Sequence, residues 1–267
     1  MKATVFLGGG RITRALVAGL RLAGDKRTIL VHDRHPEKLR ELKRRYAIIA
    51  EPNLQTAVAS AGLLIIAVRP DSVSELLASI RSLQIKKVPI AVSLAAGIPL
   101  SILKAKLGEG VRWARAMPSP LCRRGRGLTA LAFDQRLTSQ DRRKIRDFFS
   151  RVGEIVEIPE TQFDAFTVTF SSSHGYHAVA ALIKAAEKLG LNRKTALTAA
   201  AHALADAIHT WRHGESSLTE LLYEAATPGG TAAAVMVSMD QSGYEEMVEK
   251  GLRAGIKRAL KNSTLIR

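Results

Sequence analysis

Four times in the first hundred residues, a short apolar run is followed by a stretch with helical spacing. "TVFL" (4–7) precedes a helical pattern over 11–23, and "TILVHD" (28–33) precedes "PEKLRELKRRY", where Pro36 suits a first helical turn. "LLIIAVRP" (63–70) precedes "DSVSELLASIRSL", and "VPIAVSLAAG" (88–97) precedes "PLSILKAKLG". Strands that alternate with helices of about 10–15 residues build βαβ units around a parallel sheet. The inner runs are apolar throughout, as expected when both faces of a sheet are covered. "VRWARAMP" (111–118), "LTALAF" (128–133), a helical pattern over 138–150 and "GEIVEIP" (153–159) continue the series. After Pro159 the pattern changes. Residues 162–261 offer no convincing strand and are rich in alanine at helical spacing, with helices expected at 177–191, 195–211 and from Tyr244 onward. The expectation is an α/β chain: a doubly wound sheet domain over 1–159, then an all-α domain over 160–267.

Composition limits the class of protein. With 46% hydrophobic residues, the 267-residue chain can bury a sizeable core. The apolar run 63–68, which no other run exceeds, is far short of the ~20 residues a membrane span needs. The N-terminus runs straight into a glycine-rich turn, without the pattern of a secretory signal. The single cysteine, Cys122, excludes an internal disulfide and fits a reducing compartment. These features point to a soluble cytoplasmic protein without a metal site. The net charge of +16 and a pI near 10.4 raise a nucleic-acid alternative. Its basic clusters (Arg112, Arg115, Arg123, Arg124 and Arg126, then Arg142, Arg143, Lys144 and Arg146) are not interleaved with aromatics, which make up 5% of the chain. That argues against a stacking platform for single strands.

"VFLGGGRITRAL" contains Gly8-x-Gly10-x-x-Thr13. The first glycine permits a tight turn, and the second lets the backbone approach a pyrophosphate at a helix N-terminus. Thr13 stands where glycine or alanine usually packs helix against strand. Asp33 ends the second strand, 25 residues beyond Gly8 and near the ~20 of a dinucleotide fingerprint. An acid there accepts from a ribose 2′-hydroxyl and favours NADH, whereas Arg34 and Arg11 suit a 2′-phosphate and favour NADPH. The cofactor expected is therefore NADPH or NADH.

In the second half, "EAATPGGTAAAV" (224–235) places a proline and two glycines between helical stretches. Interrupting a helix there opens a new N-terminus whose N–H groups are unpaired, and glycine permits close approach. That is an anion site.

Six segments in order resemble the Δ1-pyrroline-5-carboxylate reductase family: the glycine turn, "VHDRHPEKLRELKRRY", "LLIIAVRPDSVSELL", "VSLAAGIPLSIL", "RAMPSPLCRRGRGLTAL" and "ATPGGTAA". The resemblance implies a Rossmann domain joined to a helical dimerisation domain, and hydride transfer from NAD(P)H to the C=N bond of a cyclic imino acid. That substrate would be pyrroline-5-carboxylate, reduced to proline as in proline biosynthesis. Cofactor contacts then fall on Gly8, Gly10, Arg11, Ile12, Asp33, Arg34, Ala67, Val68, Arg69, Pro70, Ala95 and Gly97, with Met117 and Pro118 near the nicotinamide. Substrate contacts fall on Thr227, Gly229, Gly230, Thr231 and Ala232, with Thr231 also a candidate catalytic residue.

Three departures cluster around the substrate. The family's second threonine after the glycines, whose hydroxyl reaches the substrate nitrogen, is Ala232. Its Ser-Gly-Ser-Gly-Pro-Ala-Tyr segment is represented by "FSSSHGYHAV", with the tyrosine at Tyr176 and a helix about two residues short. Its Met-Pro-Asn asparagine is Ser119. His174 is a candidate proton donor in place of the missing hydroxyl. A reductase of another imine or of a 3-hydroxyacid type, and a non-catalytic nucleotide- or nucleic-acid-binding paralogue, are the alternatives.

Overall fold

A computed structural model describes residues 2–83, 90–108 and 110–264. Val88 and Pro89, the first residues of the fourth apolar run, lie outside them. Eight strands form one sheet: β1 (Ala3–Leu7), β2 (Ile29–His32), β3 (Ile49–Ala50), β4 (Ala61–Ile66), β5 (Ile90–Ser93), β6 (Trp113–Pro118), β7 (Gly127–Phe133) and β8 (Gly153–Glu157). Their order is β3-β2-β1-β4-β5-β6-β7-β8. From β3 to β6 every pairing is parallel; β7 runs antiparallel to β6, and β8 parallel to β7.

The strand sequences explain the layering. Val5 and Leu7 of β1 join Leu64 and Ile66 of β4 in one buried cluster, with Leu77 and Ile80 from α4 (Val73–Ser82) and Leu103 from α5 (Leu100–Leu107). Phe6 and Ile65 face the other way. They pack with Leu16 and Leu20 of α1 (Arg11–Leu22) and with Phe148 of α6 (Ser139–Phe149). Both faces are covered, hence the uninterrupted apolar runs. β1 lies between β2 and β4, so the strand order reverses beside it. In open α/β sheets, a crevice for ligands forms at the carboxyl ends of the strands at such a point.

The helical pattern of 36–46 is realised as α2 (Pro36–Arg45). Neither β3 nor α3 (Leu54–Ala59) was expected. β3 is two residues long, and α3 is a six-residue helix capped by Asn53, whose side chain accepts the Thr56 N–H. Such short pieces carry too little periodicity to be read.

After α7 (Glu160–Thr169) come α8 (Ser173–Lys188), α9 (Arg193–His213), α10 (Leu218–Ala225), α11 (Thr231–Gln241) and α12 (Tyr244–Thr264). Compact packing groups residues 1–168 with 254–267, and 169–253 by themselves. This division differs from the sequence boundary at 159/160 because α7 and the end of α12 pack with the sheet. Phe163 is buried among Ala130 and Ala132 of β7, and the Ala259 carbonyl lies against Gly97.

In the second unit, α8 and α9 pack through Ile183, Ala196 and Ala200. Gly190, with φ +97°, follows α8 in the left-handed conformation of a helix end. Among the described residues, α10 and α11 bury nothing, and Leu222, Val235, Val237, Met239 and Met247 are exposed. No helix among the described residues is long and apolar enough to cross a membrane.

Candidate active site

Where the strand order reverses, a cleft of about 700 Å³ opens, a size typical of small-molecule sites. Its floor is the turn from β1 into α1. Gly8 has φ +112°, and a Cβ there would lie 2.6 Å from the Ala67 carbonyl oxygen at the end of β4. Only glycine lets these two strand ends approach so closely. At Gly10, a Cβ would meet nothing within 4 Å among the described residues. Gly10 is the N-cap of α1 and faces the open side, where backbone N–H groups and the helix dipole favour an anion. Thr13, the departure in the fingerprint, is fully buried and donates its hydroxyl to the Gly8 carbonyl at 2.5 Å. The residue that seemed to weaken the motif fastens its turn.

Asp33 closes the turn from the other side. Its Oδ2 accepts the Gly9 N–H at 2.7 Å, its Oδ1 accepts the His35 N–H at 2.9 Å, and Lys38 Nζ stands 3.5 Å away. Burial pushes the carboxyl up, but the two N–H donors and Lys38 outweigh it and hold Asp33 below the usual carboxylate range. Arg34 lies 3.5 Å from Glu75 at the rim.

Of the expected cofactor residues, Gly8, Gly10, Arg11, Ile12, Asp33, Arg34, Ala67, Val68 and Arg69 line this cleft together. Pro70 begins the 3-10 turn Pro70–Ser72 directly beyond them. Ala95 and Gly97 follow β5 and are buried; Gly97 (φ +75°) faces the Ala259 carbonyl, and Ala95 belongs to the core. Met117 packs beside Phe163, and Pro118 ends β6. Gly9, His35, Lys38, Ser72 and Glu75, which no motif in the sequence marks, also line the cleft. For His35 and Lys38, their place at the N-cap and in the first turn of α2, directly after Asp33 and Arg34, was the available signal.

In the helical unit, α10 ends at Ala225 and α11 starts at Thr231, with Gly230 as its N-cap. Between them, the Gly230 N–H donates to the Thr227 carbonyl at 2.9 Å, and Gly229 turns through φ +77°. Gly230 brings no side chain to cap the helix, and Thr227, Gly229, Thr231 and Ala232 are exposed. This is an open helix N-terminus, suited to an anion. α8 begins at Ser173, so exposed His174 and Tyr176 lie in its first turn. The helix extends four residues before the 177 start read from sequence, passing through Gly175.

Comparison with known proteins agrees with both halves. Residues 160–262 match a family model described as pyrroline-5-carboxylate reductase dimerisation, and residues 4–97 match one described as NADP oxidoreductase, coenzyme F420-dependent. A pyrroline-5-carboxylate reductase of Mycobacterium leprae is 28% identical, over 95% of this chain and 94% of the relative. The structure of a pyrroline-5-carboxylate reductase from Coxiella burnetii superimposes with a TM-score of 0.86 at 24% identity, covering 98% of each chain. That of the Plasmodium falciparum enzyme, solved with NADP bound, gives 0.85 at 19% identity and the same coverage. With a Rossmann-type cofactor domain, an all-helical dimerisation domain and curated relatives along nearly its whole length, the chain belongs to the pyrroline-5-carboxylate reductase family and is an NAD(P)H-dependent enzyme of that family.

Proposed function

We propose that the protein reduces pyrroline-5-carboxylate to proline, working as a homodimer through its helical domain. The observation that carries this reading is the pairing, in one chain, of a glycine-floored dinucleotide cleft with an open helix N-terminus behind Thr-Pro-Gly-Gly-Thr. The residues fit the cofactor. The open face of Gly10 and the start of α1 suit a pyrophosphate, and the ends of β1 and β4 leave room along Ala67, Val68 and Arg69. When bound, NAD(P)H supplies the hydride for the imine carbon.

The chain's own residues have two further tasks. One is to hold the carboxylate, which the N–H groups of Thr231 and Ala232 and the Thr227 hydroxyl would do at the head of α11. The other is to keep a proton on the ring nitrogen, because a protonated imine accepts hydride more readily. Ala232 has no hydroxyl for that, and the task falls to His174 or Thr231. The exposed apolar residues of α10 and α11 supply the surface for a second copy.

The test is oxidation of NADH and NADPH by purified protein with pyrroline-5-carboxylate, other cyclic imino acids and 3-hydroxyacid-type substrates in turn. Turnover with the five-membered imino acid, yielding proline, is expected. Cofactor binding without turnover on any of them would refute the reading. Replacing His174 by alanine is expected to lower kcat and alter its dependence between pH 6 and 8. Unchanged turnover across that range assigns the proton elsewhere.

A further inference from the structure

Strands of a parallel sheet satisfy one another's backbone groups, but the loops that leave their carboxyl ends need partners from elsewhere. The loop from β5 to α5, residues 94–99, lies one strand beyond the cleft: β5 pairs with β4, and the Leu94 N–H donates to the Ile66 carbonyl. In a sheet of this order the adenosine half of a dinucleotide lies over β1 and β2, where the glycine turn and Asp33 stand. The other half, with the reacting nicotinamide, then lies over β4 and β5. Helices from much later in the chain hold this loop. Asn262, in the last turn of α12, donates its side-chain amide to the Ala96 carbonyl at 3.3 Å. Beside it Gly97 turns through φ +75°, and a Cβ there would overlap the Ala259 carbonyl, so the α12 backbone presses directly on the loop. At the far end, the Leu100 N–H donates to Glu160 Oε1 of α7 at 2.8 Å, and Glu160 is itself held by Arg115 at 3.2 Å. The two side-chain partners stand 60 and 166 residues downstream of the groups they satisfy.

We infer that Asn262 is a positioning residue for the nicotinamide half of the cofactor. By fixing the Ala96 peptide, with Ala259 seated on Gly97, the end of α12 sets the shape of the β5–α5 loop and leaves the adenosine half untouched. This rests on the cleft being the dinucleotide site, and a ligand that reaches only the adenosine half separates the two without any turnover.

Asn262→Asp keeps the shape of the side chain and replaces its donor with an acceptor, which the Ala96 carbonyl repels. Titration calorimetry measures NADPH and adenosine 2′,5′-bisphosphate on the native protein and the variant. The variant is expected to bind NADPH at least about fivefold more weakly, since one hydrogen bond is worth about that factor, and to bind the bisphosphate within about twofold of native. Asn262→Gln keeps an amide donor and is expected to recover part of the NADPH loss. Equal weakening of both ligands in Asn262→Asp, or NADPH binding within about twofold of native, overturns the inference and leaves the cleft standing. Native protein that binds neither ligand overturns the cleft and the inference with it. Asn262 is half-buried, and Asn262→Ala, which adds no charge, tests the same split if Asn262→Asp fails to fold.

Discussion

A methyl group on residue 8 would strike the Ala67 carbonyl oxygen at 2.6 Å, while one on residue 10 would point into open space. Two substitutions of the same size should therefore fail differently. Gly8→Ala forces both a contact and a left-handed φ, and is expected to lower Tm and abolish cofactor binding together. Gly10→Ala is expected to leave Tm within a degree or two of the native value and to remove NADPH binding, which calorimetry and thermal melts distinguish. Thr13 was legible only as an exception to a motif. Its hydroxyl bond to the Gly8 carbonyl could not be read from spacing, because it depends on how the turn folds back on α1. Thr13→Val keeps the shape but strands a buried carbonyl, and is expected to cost about 1–3 kcal/mol in urea unfolding. Asp33 shows the converse: the sequence singled out the acid directly after β2, while its partners are backbone groups of Gly9 and His35 that carry no side-chain signature.

Elements were legible where the period was long enough. The pattern over 138–150 is realised as α6 (Ser139–Phe149), and its Thr138 and Asp141 form a reciprocal capping box. β3 and α3 escaped notice because two and six residues cannot establish a period. The junction helix α7 is held by chemistry that no local pattern announces. Arg115 of β6, 1% exposed, pairs with Glu160 at 3.2 Å and Asp164 at 2.7 Å, and its guanidinium stands 4.2 Å from the Phe163 ring centroid. Glu160 also accepts the Leu100 N–H at the start of α5. In the sequence Arg115 was one of a cluster of basic residues; in the fold it is the buried one. The asymmetry of burial sets the prediction. Glu160→Gln with Asp164→Asn strands a buried cation and is expected to cost about 3–5 kcal/mol. Arg115→Met leaves two carboxylates that reach water and is expected to cost less. Urea unfolding of the two variants checks the order.

Over the whole molecule, a charge of +16 coexists with a set of carboxylates held in ionised form. Burial pushes Asp25 and Asp134 up, but hydrogen bonds and neighbouring charges (Arg27 and Arg151 at Asp25, Lys104 and Arg136 at Asp134) outweigh it and lower both, as at Asp33. Carboxylates depressed in the folded state stabilise it at pH values above their unfolded pKa of about 3.9, and this is lost as pH falls through the lower folded values. Tm is therefore expected to stay level from pH 7 to 5 and to fall steeply below 4 in scanning calorimetry.

The helical unit exposes Val235 and Met239, four residues apart on one face of α11. Replacing both with aspartate is expected to give a monomer in light scattering and to abolish turnover. The chemistry of the protein is hydride transfer to an imine carbon, and isotope labelling reads it. The most direct measurement is incubation with pyrroline-5-carboxylate and NADPH carrying deuterium at the transferable position of nicotinamide C4. Proline bearing one deuterium at Cδ is expected; proline without deuterium, or labelled cofactor left unconsumed, overturns imine reduction by this protein.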